Sequence, residues 1–295
     1  MTPVARWVLF TAIVGVIGAA TSRWFVLPAV RWHETEIDRD WLLARTGTFG
    51  LTASLGGLAG LGLLFSGQLM AFRDPFSPWL AEARLLLLGT AWGRSWIAVL
   101  GATVLASLAF HVARKGRGWA WIAVAGLAAL IGLYPAMAGH AIASDRLRTL
   151  AVVGDAMHVW AAGSWIGGLG LLLFLELSWR RRNGGSSLLP QMVPAFSRVA
   201  VVSVATLALT GLFSAWLHLP TVGALFTSTY GRLLLGKLVV VGMILALGAW
   251  NWRRLTPVLS DPSGPDRLRR AASYELLLGQ VALAITAVFV GSAPP

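Results

Sequence analysis

Three of the chain's five histidines, His140, His158 and His218, fall toward one side of the apolar stretches that fill most of the sequence. Neutral imidazole is a general-purpose metal ligand. Met137 precedes His140 by three residues, and Asp155 precedes His158 by the same interval. In a helix each pair therefore shares a face, whereas Met157 points elsewhere. Stretches running in opposite directions deliver these groups to one side. His140, Asp155, His158, His218 and Met137 thus form a candidate metal-ligand set. Asp155 serves either as a ligand or as the acceptor for the second ring N–H of His158, which would fix its tautomer.

The ligand types narrow the metal. With no cysteine in the chain, disulfides, iron–sulfur clusters and thiolate sites are excluded. Imidazole and thioether without thiolate suit copper, since Cu(II) favours nitrogen and oxygen and Cu(I) accepts thioether. Plainer readings stand beside this one. His218, next to Pro220 at the end of a stretch, reads equally well as an interfacial residue bonded to a carbonyl or water. That alternative is weaker for Asp155 and His158, because ionisable groups within a span are functional candidates by default. His111, beside Arg114, and His33, in a charged loop, read as solvated. Lys237 can snorkel outward, and Glu275 reads as paired near Arg269 and Arg270. Trp160 and Trp165 read as packing, with Trp160 also placed to shield a site. No nucleophile elbow, P-loop or HExxH pattern is present. The chain reads as a metal-handling protein and not as an enzyme.

Eight apolar stretches must position these groups: about 7–27, 47–71, 92–111, 119–141, 150–177, 195–218, 232–252 and 271–291. Each matches the roughly 20 residues a helix needs to cross the hydrocarbon core. The 295 residues are 57% hydrophobic and 12% charged, whereas a soluble domain carries about 25% charge. The expected fold is therefore an all-α integral membrane protein, an eight-transmembrane-helix bundle forming a single polytopic domain over 1–295. Tryptophans at many span ends, including Trp7, Trp24, Trp92, Trp119, Trp179, Trp216 and Trp250, match the aromatic belt at headgroup level.

The net charge of +12 does not indicate nucleic acid, because the basic residues are dispersed in short loops and form no patch on a polar fold. Arg114, Lys115 and Arg117 follow span three, Arg180, Arg181 and Arg182 follow span five, and Arg253, Arg254, Arg267, Arg269 and Arg270 separate spans seven and eight. By the positive-inside rule these loops are cytoplasmic, and both termini face the periplasm of a bacterial inner membrane. Span one is then a retained helix despite its Gly18-Ala19-Ala20. Segment 77–89 reads as an interfacial helix capped by Ser77, with Pro78 in its first turn. Gly56 with Gly60, and Gly163 with Gly167, have the spacing of close helix packing.

A weak internal repeat pairs Leu64-Phe65-Ser66-Gly67 with Leu212-Phe213-Ser214-Ala215, and Trp92-Gly93-Arg94 with Tyr230-Gly231-Arg232. It suggests two tandem four-helix halves, 1–141 and 150–295, with Met70 in the place of His218.

Gly139-His140-Ala141, Asp155-x-x-His158 and Trp165-Ile166-Gly167-Gly168-Leu169 resemble the copper resistance protein D (CopD) family. Phe196-Ser197-Arg198-Val199-Ala200, Leu209-Thr210-Gly211-Leu212, Thr229 through Lys237, Asn251, and Arg269-Arg270 through Glu275 are similar to its characteristic domain. The likeness covers about 130–292 well and the first half loosely, mainly through Trp92-Gly93-Arg94. It implies an inner-membrane protein that takes up copper from the periplasm, and a separate periplasmic partner of the copper-binding CopC type. His140, Asp155 and His158 carry over from the family motif; His218 and Met137 are added by spacing. Two other functions compete. One is a b-type haem electron-transfer protein with two axial histidines. The other is an assembly factor that delivers copper without transporting it. Polar groups for a path through the cytoplasmic half are few: Ser203, Thr206, Thr210, Glu176 and Asn251.

Overall fold

A computed structural model describes residues 3–30, 38–74, 76–138, 147–219, 221 and 223–291. Eight helices are long and apolar enough to cross a membrane, and no strand occurs among the described residues. Lipid offers backbone N–H and C=O groups no hydrogen-bond partner, so a chain this apolar satisfies them internally as helix.

The first span is α1 (Pro3–Phe25), followed by α2 (Arg39–Phe72), the short α3 (Trp79–Arg84), α4 (Ala91–Ala113) and α5 (Ala120–Ala138). The fifth span joins α6 (Arg148–Ala162) to α7 (Gly168–Arg182) through a π-helical turn at Gly163–Gly167. Then come α8 (Leu189–His218), the single-turn α9 (Ala224–Thr227), α10 (Thr229–Trp250), a π turn at Asn251–Leu255, and α11 (Gly264–Phe289).

The first and fifth spans are the most enclosed, and α1 lies at the centre of the packing. It packs on α2, α5, α7, α11 and the Gly163–Gly167 turn. Its residues Ile13, Val16, Ile17 and Ala19 are buried. Close approach to the fifth span requires glycine at two places. A Cβ at Gly167 would lie 1.8 Å from the Val14 carbonyl oxygen, and one at Gly18 would lie 2.1 Å from the Gly167 carbonyl carbon. The spacing argument holds for Gly60 and Gly163, which meet Leu9 and Ile17, but a Cβ at Gly56 would meet nothing within 4 Å.

The basic loops gather at one end of the bundle. There Arg182 pairs with Asp38 at 3.6 Å, and Arg180 bonds Asp266 at 2.7 Å. At the opposite end, Arg6 donates to the Ala287 carbonyl at 3.1 Å, and the rings of Tyr230 and Phe289 lie 4.4 Å apart. His218 closes α8 at that same end. The two are called the arginine end and the histidine end below.

Two local structures correspond closely. Thr90 caps α4 by accepting from Gly93 N at 2.9 Å and donates back to the Leu86 carbonyl at 2.6 Å. Ser228 caps α10 by accepting from Gly231 N at 2.9 Å and donates to the Ala224 carbonyl at 2.7 Å. In both, a Cβ on the glycine would strike that same carbonyl oxygen, at 2.1 Å and 2.3 Å. A hydroxyl residue three positions before the glycine therefore belongs to the motif that pairs Trp92-Gly93-Arg94 with Tyr230-Gly231-Arg232.

The segment before α4 differs from expectation. Its helix starts at Trp79 with no side-chain cap from Ser77. Instead Asp74 accepts from Phe76 N at 3.0 Å, while buried Glu82 turns inward and accepts from Asp74 N at 2.5 Å.

Candidate metal site

The site is built where α6 packs on α8. Two glycines allow the approach: Gly154 of α6 faces Phe213, and Gly211 of α8 faces the His158 ring, whose Cε1 would lie 3.7 Å from a Cβ there. Into this gap His158 reaches Thr210, with Nδ1 2.9 Å from Oγ1. The Thr210 hydroxyl in turn donates to the Thr206 carbonyl at 2.7 Å. A hydroxyl has one proton to give. With that proton directed at Thr206, Nδ1–H of His158 is the donor to Thr210, and Nε2 is left with its lone pair. A second partner that fixes the tautomer of a ligating imidazole in this way is the usual arrangement around a bound metal.

Asp155 lies about one turn from His158 toward the histidine end, on the same face of α6. Lys237 of α10 is near enough for its charge to act on both Asp155 and His158, and Tyr230 is likewise coupled to Asp155. The site is therefore a carboxylate and an imidazole that share their surroundings with a tethered cation. Lys237 is partly buried beside them. Sequence reasoning missed Lys237 and assigned Thr210 to the opposite half. One signal was available. Thr210, Ser214 and His218 recur every four residues, so they form a single stripe on α8.

The other members of the ligand set stand further out. His218 donates from Nδ1 to the Ser214 carbonyl at 2.8 Å, the plainer of its two readings, which still leaves Nε2 available. It lies eight residues beyond Thr210, roughly 12 Å along the axis. Met137 is half exposed on α5. The register of α5 on α6 is set by Trp160 Nε1, which donates to the Ala129 carbonyl at 3.2 Å. Met137 therefore stands roughly 9 Å nearer the histidine end than His158. His140 lies outside the described residues. Among the described residues no three His, Asp or Glu side chains converge as a metal cage. The potential ligands form a ladder instead, with His158 deepest, Asp155 one turn above it, and Met137 and His218 nearer the histidine end.

Buried polar groups at the arginine end have different duties. Glu176 is fully buried and accepts from Ser187 Oγ at 2.9 Å and Leu188 N at 2.8 Å, which caps the start of α8. Glu275 is bonded by the Asn251 amide across the α10–α11 interface, whereas the sequence suggested pairing with Arg269 or Arg270. Arg269 instead reaches Asp266 at 3.3 Å.

Eight apolar spans with ionisable side chains turned into the bundle define an all-α multi-pass membrane protein. Residues 190–289 match the family model for copper resistance protein D, the family whose motifs the sequence resembles. The chain is similar to the copper resistance protein D of Pseudomonas syringae pv. tomato, with 28% identity over 83% of this chain and 80% of the relative. It is also similar to the copper transport protein CutJ of Bacillus subtilis (strain 168), with 28% identity over 100% of this chain but only 53% of that relative's length. No solved structure matches the chain.

Proposed function

We propose that the protein handles copper at the bacterial inner membrane, taking the ion at the histidine end, which faces the periplasm, and passing it inward through His158. The observation that carries this reading is the His158–Thr210 bond, which presents a lone pair at Nε2 within the bundle, beside Asp155. The names of the two relatives, one for copper resistance and one for copper transport, point the same way. In this reading His218, Met137 and His140 form the entrance, Asp155 the approach, and His158 the inner stop. A periplasmic copper-binding protein of the CopC type is the partner that would load the entrance.

Copper binding by purified protein tests the site. His158→Ala is expected to weaken it at least about tenfold, and unchanged binding would remove the assignment. Flux of radiolabelled copper into sealed proteoliposomes separates uptake from delivery, since binding without flux indicates handover to an acceptor at the same face. Glu176 is committed to capping, so Asn251 and Glu275 are the polar pair that an inward path would use. A haem held axially by His158 and His218 draws little support, because His218 lies roughly 12 Å along α8 from the partner of His158. A Soret band in the purified protein would reverse that judgement.

A further inference from the structure

At the arginine end, away from the copper ladder, a cavity of about 140 Å³ opens between the end of α1, the first turn of α2 and the loop from α4 to α5. Arg23, Arg39, Asp40, Gly116, Gly118 and Trp121 are among the residues lining it. The two guanidinium groups are near enough to repel each other, and among the described residues Asp40 is the one carboxylate in the lining, so these residues give the cavity excess positive charge. The Arg23 guanidinium is held between two indoles, 5.0 Å from the Trp24 ring and 5.8 Å from the Trp121 ring. Its Nε is buried and makes no hydrogen bond among the described residues. A buried donor without an acceptor is costly, and a guanidinium edge is matched by the oxygens of a phosphate.

The surroundings suggest where that phosphate comes from. Gly116, at φ +86°, turns the loop and, like Gly118, has nothing within 4 Å of a would-be Cβ. Exposed Lys115 and Arg117 flank these glycines. Beside Arg23, Trp24 and Phe25 are exposed at 43% and 67%, and Trp119 at 65%. Such apolar surface at the end of a membrane span meets acyl chains, and basic pockets between spans at this level accept anionic headgroups.

We propose that this cavity binds a phosphate oxyanion, supplied by the headgroup of an anionic phospholipid whose chains lie against Trp24 and Phe25. Arg23 donates from its Nε edge, and Arg39 provides the second cation. The site does not depend on the copper reading.

The test uses full-length protein in detergent micelles, with phosphatidylglycerol, phosphatidylcholine or inorganic phosphate added. Thermal unfolding and retained lipid by native mass spectrometry are the readouts. Phosphatidylglycerol is expected to be retained and to raise Tm, while phosphatidylcholine is not. Arg23→Gln and Arg39→Gln should each weaken that response about tenfold, and Arg270→Gln, an equal charge change at an exposed position outside the cavity, should keep it. Arg39 is exposed on the first turn of α2, so its variant remains informative if Arg23→Gln fails to fold. Protection by inorganic phosphate without retention of phosphatidylglycerol would overturn the lipid source. An equal response to both lipids, a response kept by Arg23→Gln and Arg39→Gln, or an equal loss in Arg270→Gln would overturn the site.

Discussion

Thr210 Oγ1 lies 2.9 Å from His158 Nδ1, and this bond joins α8 to α6 in the half of the bundle nearest the histidine end. It orients a ring that would otherwise rotate within an apolar interface, and it decides which nitrogen stays open. Thr210→Val keeps the shape and removes the acceptor. The expected outcome is a 10- to 100-fold loss of copper affinity, the usual effect of removing such a support, with Thr210→Ser restoring it. Competition titration of the purified variants checks this, and a Val variant that binds like wild type would show that the ring needs no support.

Lys237 shares Asp155 with any incoming cation. On the proposed reading, copper arriving at His158 would meet a fixed positive charge as well as the carboxylate. Lys237→Gln should tighten copper binding about tenfold, or about 1.4 kcal/mol. Weaker binding in that variant would mean that the lysine organises the carboxylate and does not compete with the metal.

If the histidines hold the ion as proposed, copper and protons compete for the same imidazole nitrogens, because only neutral imidazole binds metal. The reference imidazole value is about 6.5 and burial lowers it, so affinity should fall between about pH 7.5 and about 5.5 where solvated imidazoles hold the ion, and only at lower pH where a buried one does. The sign follows directly: lowering pH fills the lone pair with a proton and leaves fewer sites open. A flat profile from about pH 7.5 to about 5.5 would exclude ligation by solvated histidines at the entrance and leave a buried imidazole or the Met137 thioether as the ligand.

Gly167 and the Val14 carbonyl are in direct backbone contact. Gly167→Ala is expected to destabilise the bundle by about 3 kcal/mol or more, because neither partner is a side chain that can move aside. The unfolding midpoint in detergent reports this. Gly56→Ala, where the added methyl meets nothing within 4 Å, should be nearly neutral in the same assay.

Glu176 is an intramembrane carboxylate that the fold uses for structure. Glu176→Gln should cost about 1–2 kcal/mol through the weakened cap on α8 and leave copper affinity unchanged. A changed affinity with unchanged stability would assign Glu176 to the copper path.

Much of this protein was legible in its residues. The eight spans followed from runs of apolar residues, because hydrocarbon admits few alternatives to a helix of that length. The gathering of basic loops at one end followed from parity along the chain, and the pairs Arg182–Asp38 and Arg180–Asp266 hold that end together. His158 and Asp155 stood out because ionisable side chains are rare at that depth.

Depth and azimuth on a single helix are written in its spacing, but the register and rotation of one helix against another are not. These depend on where Gly154 and Gly211 let α6 and α8 approach, and on the Trp160 bond to α5. Only the tertiary structure set Thr210 against His158, brought Lys237 to Asp155, and spread Met137 and His218 along the bundle axis as a ladder. The reason is physical. Helix formation in lipid is decided locally by backbone hydrogen bonding, whereas the meeting of side chains from different helices is decided by close packing summed over the whole bundle.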